Sequence, residues 1–109
     1  MIDPAHLIGL SLALLGFSLA SVLLRRSFLA VLVGVQGIFV AASLAGLGLA
    51  RMRVAMGLDD PAWLGVAEGH ALVVLAVGAA EVSVGLVMAL AFVRKRGSPN
   101  IETASVLRW

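Results

Sequence analysis

Glu81 is the residue whose position in this 109-residue chain most strongly suggests chemistry. It lies near the centre of the third of three long apolar runs, where a charged group costs about 2.5–3.5 kcal/mol on insertion scales. Carboxyl groups at such a depth typically belong to proton or ion paths. Gly78 and Gly85, on the same helical face, leave room beside it for water or a partner helix. We therefore favour proton or ion handling over a structural hydrogen bond from a protonated Glu81.

Four further polar residues are candidates for a role in the same process. Gln36 lies near the middle of the second apolar run and can hydrogen-bond to water or to another helix, but it cannot titrate. Taken alone, Gln36 is best explained as a structural residue. Ser43 lies two turns further along the same helix and could extend a track of water molecules from Gln36. Arg25 and Arg26 share a short turn, where they either set the topology by snorkelling or contact acidic groups of neighbouring chains.

Composition excludes several classes of site. The chain has no cysteines and only two histidines, far apart, so disulfides, iron–sulfur clusters and a metal cluster are not expected. Its eight basic residues are scattered between apolar runs and make no nucleic-acid-binding face. His6, His70, Asp59 and Asp60 are interpreted as residues of the membrane–water interface without an assigned function. We expect no cofactor and no metal in this chain.

The elements that position Glu81 and Gln36 must be membrane-spanning helices. The chain is 61% hydrophobic and 13% charged, whereas soluble domains are about 45–50% apolar and about 25% charged. Each span needs about 20 apolar residues. We therefore predict an all-α integral membrane protein with a single transmembrane domain over residues 1–109. Three transmembrane helices are expected at about 5–24, 27–50 and 69–93, with a short interfacial segment near 61–67.

Local signals predict where these helices begin and end. An Asp-Pro pair at 3–4 is typical of a helix start, and it is repeated at 60–61. Ser27 can cap the second helix, and Gly57 can end it. Trp63 suits the membrane interface.

Small residues in the first helix form a stripe that suits close helix packing. They recur three or four residues apart, as Gly9, Ala13, Gly16 and Ala20. The twelve glycines of this short chain indicate the same kind of packing. The alternative explanation is that glycine is simply more frequent in membrane helices than in soluble ones.

Lysine and arginine counts predict the orientation in the membrane. With three spans, the turn at 25–26 and the tail share one side, which carries six of the eight basic residues. These six are Arg25, Arg26, Arg94, Lys95, Arg96 and Arg108, and the two on the opposite side are Arg51 and Arg53. We expect the N-terminus outside, the C-terminus in the cytoplasm, and the polar tail 97–109 outside the bilayer.

The order of these features resembles the small K subunit of bacterial complex I, the NADH–quinone oxidoreductase. The resemblance covers nearly the whole chain and rests on the paired arginines, a polar residue inside the following span, and the glutamate in GAAEVSVGL at 78–86. Glu81 matches the family's buried third-span carboxylate, and Arg25 and Arg26 match its cytoplasmic-loop arginines. Gln36 stands, in VGVQGIF, where the family has another buried glutamate, which indicates a divergent member.

This resemblance implies a multi-pass, membrane-arm subunit of a proton-translocating NADH–quinone oxidoreductase in the bacterial cytoplasmic (inner) membrane. In the family, the buried carboxylates form part of a hydrated charge axis that couples quinone chemistry to proton pumping. The chain would be a non-redox subunit of this translocase, with Glu81 and Gln36 in proton or charge transfer. Other membrane subunits and the lipid bilayer are the implied partners. NAD, FMN, iron–sulfur clusters and quinone are expected on other subunits.

Other function classes remain as alternatives. The departure at Gln36 leaves open the equivalent small subunit of a membrane-bound hydrogenase or of a multisubunit cation/proton antiporter. A small multidrug exporter also uses one buried glutamate, but it has four spans, carries that glutamate in the first, and lines its drug site with aromatic residues. A rotary-ring proton subunit would be a shorter, two-helix hairpin. A purely structural assembly subunit is the last alternative.

Overall fold

Three long helices make up the described part of the chain. The computed structural model describes residues 3–96, apart from the side chain of Arg96. Helix α1 runs over Pro4–Leu24 (21 residues), α2 over Phe28–Ala55 (28 residues) and α3 over Trp63–Arg96 (34 residues). All three are long and apolar enough to cross a membrane, which confirms the predicted all-α, three-span fold. The tail 97–109 lies outside the described residues.

The first two helices begin at the predicted caps. Asp3 precedes α1, and its Oδ1 accepts a hydrogen bond from the Ala5 N–H at 3.0 Å. Pro4 occupies the first turn, where its missing N–H leaves no hydrogen bond unmade. Ser27 stands at the N-cap of α2, but its side chain makes no capping hydrogen bond there. The sequence therefore predicted both starting points correctly.

Helix α2 ends at Ala55, and Gly57, the predicted stop signal, follows it with a φ of +72° that other residues rarely tolerate. The Gly57 N–H donates to the Val54 carbonyl at 3.0 Å. The Leu58 N–H donates to the Arg53 carbonyl at 2.9 Å. Together these two bonds form a Schellman motif, which satisfies carbonyl groups that the helix end would otherwise leave free.

A short polar turn, rather than an interfacial helix, connects α2 to α3. The Ala62 N–H donates to Asp60 Oδ1 at 2.8 Å, and α3 then continues unbroken from Trp63 to Arg96. The predicted turn before the third helix is therefore present but shorter than expected: only 61–62 of the segment near 61–67 belong to it, and the third helix begins at Trp63 rather than near 69. A glycine inside a helix costs only about 1 kcal/mol, whereas an unsatisfied backbone group in apolar surroundings costs several.

An ion pair ties this turn to the end of α2 and predicts a pH effect. Arg53 donates from Nε to Asp59 Oδ2 at 2.6 Å and from Nη2 to Oδ1 at 3.3 Å. This hydrogen bonding holds the pKa of Asp59 below its ordinary value. The contribution of the pair to stability is therefore complete at neutral pH and is lost as the pH falls through that lowered pKa.

We expect the backbone amides of 56–62 to lose protection from hydrogen exchange only below about pH 4, once the intrinsic pH effect is removed. Asp59→Asn should show weaker protection at neutral pH and no acid step, because the amide side chain does not titrate. Mass spectrometry of deuterium uptake in the purified protein measures both. An acid step of equal size in the Asp59→Asn protein would show that the ion pair is not its cause.

Helix α2 is the central helix of the three. It packs against α1 on one side and against α3 on the other, and these are the two extensive helix–helix contacts within residues 3–96. The three antiparallel helices therefore form a row rather than a closed bundle. The buried apolar side chains of the described chain are Ala41, Ala71 and Ala89, and large apolar side chains are exposed along every helix. Such a surface suits lipid or neighbouring membrane helices.

The contact between α1 and α2 is built from glycines and serines. Gly34 and Gly37 on α2 face Ser18, which is 5% exposed. The Ser21 hydroxyl donates across the contact to the Ala30 carbonyl at 2.9 Å. Without side chains at 34 and 37 the two helices approach closely, which is how small residues favour helix association in membranes.

The two glycines of the small-residue stripe predicted on α1 take no part in this contact. A Cβ added to Gly9 or Gly16 would meet nothing within 4 Å. Ser11 and Ser18, on the opposite face of the helix, are buried instead. Small residues on either face of a helix permit close packing, so their spacing alone does not indicate which partner they meet. The stripe stays a predicted packing surface for a helix of another chain.

The contact between α2 and α3, which we call the α2–α3 seam, follows a seven-residue spacing on α3. Ala71, Gly78, Gly85 and Phe92 face, in antiparallel order, Ser43, Phe39, Leu32 and Phe28. A repeat of seven keeps one helical face against its partner over several turns. The Phe28 and Phe92 rings close one end, with centroids 4.6 Å apart and an interplanar angle of 66°.

Candidate functional site

Gln36 lies at the α2–α3 seam, with its carboxamide against Gly78. A Cβ on Gly78 would stand 3.0 Å from Gln36 Oε1. This oxygen is buried and has no hydrogen-bond donor among residues 3–96. A buried acceptor without a donor costs about 1–3 kcal/mol, so Oε1 is suited to accept a hydrogen bond from water or from another chain. The surface groove that contains Gln36, here the Gln36 groove, is lined by Leu29, Leu32, Val33, Val82 and Leu86.

Glu81 is exposed on the surface of the three-helix row. It lines a second groove, here the Glu81 groove, whose other walls are apolar: Phe28, Val31, Leu32, Val84, Gly85 and Met88. Gly78 and Gly85, which were predicted to leave room beside Glu81 for water or a partner helix, both pack against α2. Carboxyl groups in membrane spans normally face a protein interior or a water-filled cavity. Glu81 is therefore expected to meet another chain or water on this surface.

The two grooves open on opposite sides of the α2–α3 seam. Leu32 lines both and lies between them. Since successive helical residues are about 100° apart, Gln36 lies on one side of Leu32, whereas Phe28 and Val31 lie on the other. The structure therefore brings Gln36 and Glu81 to the same part of the seam but places them on opposite sides of it.

Ser43 lies inside the α2–α3 seam and is 7% exposed. Its hydroxyl is 3.1 Å from the Phe39 carbonyl oxygen of its own helix and 3.4 Å from the Ala71 carbonyl oxygen of α3. Serines in membrane helices commonly bond to backbone carbonyls in this way. The hydroxyl is thus a structural link between the helices rather than a continuation of a hydrated track.

Arg25 and Arg26 form the connection between α1 and α2, and both are exposed. The Arg25 N–H donates to the Ser21 carbonyl at 3.3 Å and closes the last turn of α1. Arg94 and Lys95 are exposed at the end of α3, which lies at the same end of the row as the start of α2. The arginine pair and these two residues therefore share one end of the protein, as the three-span topology requires.

The described residues form no metal centre. Within residues 3–96, no group of three His, Cys, Asp or Glu side chains could hold a metal ion. Asp59 and Asp60 stabilise the turn before α3. His6 and His70 are exposed on α1 and α3.

Phe39 and Gly34 were not singled out from the sequence, although they help to position the site. Phe39 packs against Gly78 beside the Gln36 carboxamide. Gly34 holds the other face of α2 against α1. The seven-residue spacing of Ala71, Gly78 and Gly85 was visible in the sequence and is the signal that could have identified the α3 side of the seam.

Comparison with known proteins adds an independent observation. Residues 6–109 match the family model described as NADH-ubiquinone/plastoquinone oxidoreductase chain 4L. A protein of an Anaeromyxobacter species named NADH-quinone oxidoreductase subunit K is 34% identical over 109 residues, which cover 98% of each chain. Its namesake in Myxococcus xanthus is 33% identical over 110 residues, 99% of each chain. NADH-quinone oxidoreductase subunit 11 of Thermus thermophilus is 37% identical over 98 residues, 90% of this chain and 93% of the relative.

Proposed function

Since the chain belongs to the NADH-ubiquinone/plastoquinone oxidoreductase chain 4L family and is a membrane subunit of an NADH–quinone oxidoreductase, we propose that it transfers charge within that complex through Glu81. The other subunits of the complex are its partners. The observation that carries the proposal is a carboxyl group in the apolar surface of a membrane-spanning helix, where the described chain leaves it exposed.

The energetic cost of Glu81 supports a functional role. A charged group at the centre of a span costs about 2.5–3.5 kcal/mol on insertion scales, and such groups are rare unless they serve a path for protons or ions. Protons move readily between sites whose protonation free energies lie close together. Glu81 supplies one such site, and we propose that titratable groups of neighbouring subunits supply the next ones.

Gln36 has a different part in this proposal. Its carboxamide accepts hydrogen bonds at Oε1 and donates from Nε2, but it holds no charge at physiological pH. It therefore acts by orienting water or polar groups rather than by carrying a proton. The position of Gln36 and Glu81 on opposite sides of the seam supports contacts with two different neighbours.

The redox chemistry is proposed to take place on other subunits. Iron–sulfur clusters are held mainly by cysteine thiolates, and this chain has no cysteine. The iron–sulfur clusters are therefore assigned to partner subunits. We propose that NADH, FMN and quinone are bound there as well, and that this chain is a non-redox subunit of the translocase. Its own contribution is the path of charge, not the transfer of electrons.

We expect the N-terminus and the turn at 56–62 outside, and the connection at 25–27 in the cytoplasm, because cytoplasmic ends of membrane helices are rich in lysine and arginine. The natural chain lacks cysteine, so single cysteines can report the orientation. A membrane-impermeant maleimide should label Leu58→Cys in intact spheroplasts and Ser27→Cys only after lysis. The reverse pattern would contradict the orientation, and equal labelling of both before lysis would contradict the three-span topology.

A second candidate is the equivalent small subunit of a membrane-bound hydrogenase or a cation/proton antiporter. The observation that favours it is Gln36, a non-titrating residue at a site where the K-subunit pattern has a carboxylate. The proteins that co-purify with this chain in mild detergent distinguish the candidates, since they reveal which electron-input subunits accompany it.

The charge-transfer proposal is tested by the number of protons translocated per NADH oxidised. The measurement uses vesicles that contain the purified complex, either wild type or with Glu81→Gln. An unchanged ratio and an unchanged rate in the Glu81→Gln complex would contradict the proposal.

A further inference from the structure

Gly78 is the residue of α3 that faces Gln36 and Phe39 across the α2–α3 seam. It is buried, and a Cβ at this position would stand 3.0 Å from Gln36 Oε1 and 3.1 Å from both Cβ and Cγ of Phe39. Carbon atoms in optimal contact are about 3.5–4.0 Å apart. A side chain at position 78 would therefore displace the carboxamide, the phenyl group or both.

We propose that Gly78 is a positioning residue for the Gln36 carboxamide. It holds the carboxamide where a proton path would pass from the Gln36 groove to the Glu81 groove, a point that we call the crossing. The inference rests on the proposed charge-transfer function and adds to it the place where the path crosses the seam. Glu81 is three residues from Gly78, which is about 4.5 Å along the helix axis. The carboxamide is thus the polar group of α2 that reaches α3 within one turn of Glu81.

The buried Oε1 of Gln36 is the independent observation that points to a path. It has no donor among residues 3–96, and a group that served only to join α2 to α3 would be expected to have one. An acceptor at the crossing, combined with the Nε2 donor, can orient the polar groups that pass a proton from one side to the other. The carboxamide itself gains and loses no proton in this process.

The geometry also explains why a small displacement matters. Hydrogen bonds weaken steeply outside their normal distance and angle. A methyl group on residue 78 would force Gln36 Oε1 or the Phe39 side chain to give way by a few tenths of an ångström, which is enough to change the hydrogen bonds that the carboxamide can make. The competing explanation is that Gly78 merely permits close packing against Phe39, in which case Gln36 is irrelevant to its effect.

A double-mutant cycle in the intact complex separates these explanations. Gly78→Ala, Gln36→Ala and the double variant are compared by NADH–quinone turnover and by protons translocated per NADH in vesicles. We expect Gly78→Ala and Gln36→Ala each to lower coupled turnover roughly fivefold, within the range of interaction energies for residues in contact. The double variant should be no slower than Gln36→Ala alone, because the group that Gly78 positions is already gone.

The remaining outcomes overturn the inference. Losses that multiply in the double variant would assign Gly78 to packing against Phe39. Wild-type turnover in Gln36→Ala would show that the carboxamide is not part of the path, a result that stands even where Gly78→Ala fails to assemble. Gly69→Ala, where a Cβ would meet nothing within 4 Å, controls for a methyl group added to α3. If Glu81→Gln abolishes coupling while Gly78→Ala has no effect, the role proposed for Gly78 is wrong but the charge-transfer function stands. Wild-type coupling in Glu81→Gln would instead refute the charge-transfer function.

Discussion

Replacing Glu81 with glutamine is expected to lower proton translocation about tenfold or more, since a positioned proton-transfer group typically contributes about 10²–10⁴ to a rate. Glutamine keeps the size and most of the hydrogen-bonding capacity of the side chain but removes its titration. Assembly of the complex should therefore be preserved, as should NADH oxidation with an artificial acceptor that does not require quinone. Proton uptake by vesicles and NADH consumption, measured together, give the result.

Glu68→Gln is the matched control for this experiment. Glu68 is exposed near the start of the same helix and lines neither the Gln36 groove nor the Glu81 groove. Its substitution removes one carboxylate from α3 and should leave translocation unchanged. Full translocation by the Glu81→Gln complex would mean that Glu81 is a structural residue and that this chain mainly packs between the proton-carrying subunits.

Gly34→Ala is expected to give the largest loss of stability among single-methyl substitutions in the described helices. A Cβ on Gly34 would stand 2.6 Å from Val22 Cγ2, 2.9 Å from the Ser18 carbonyl oxygen and 3.1 Å from the Val22 backbone nitrogen. Backbone atoms cannot rotate away as a side chain can, so α1 would have to move off α2. Overpacking of this kind costs about 1–3 kcal/mol. Thermal dissociation of the purified complex, followed by native gel electrophoresis, measures the loss.

Gly46→Ala places the same methyl group on the same helix without a clash. A Cβ there would meet nothing within 4 Å, and alanine favours a helix over glycine by about 1 kcal/mol. The variant should be as stable as the wild type or slightly more stable. Equal destabilisation by both variants would show that α2 itself, rather than its contact with α1, is sensitive to the substitution.

The existence and the ends of the helices could be predicted from the sequence, because both depend on local chemistry. The aspartate–proline pair at 3–4 and the glycine at 57 act through hydrogen bonds to residues at most five positions away. The third helix begins at Trp63 rather than near 69, and the reason is not local. Gly65 and Gly69 are weak helix residues in water, but apolar surroundings favour any backbone whose hydrogen bonds are all made.

Which side of each helix contacts its neighbour could not be predicted in the same way. Their side chains are apolar all round, so hydrophobic periodicity does not distinguish a buried face from an exposed one. The contacting side is decided by how well individual residues pack together, as Gly34 does against Ser18 and Val22. For the same reason the sequence indicated the depth of Gln36 and Glu81 but not that they open on opposite sides of the seam.

The unequal lengths of the helices place a demand on the membrane itself. At 1.5 Å per residue, the 21 residues of α1 extend about 31 Å, close to the roughly 30 Å hydrocarbon thickness of a typical bilayer, whereas the part of α3 between Glu68 and Arg94 extends about 37 Å. Because α2 packs along both, α3 cannot tilt freely to absorb the difference. Hydrophobic mismatch costs fractions of a kcal/mol per ångström. The lipid chain length that best matches the protein therefore differs across this subunit. Thin bilayers match the apolar length of α1, and thicker bilayers match that of α3.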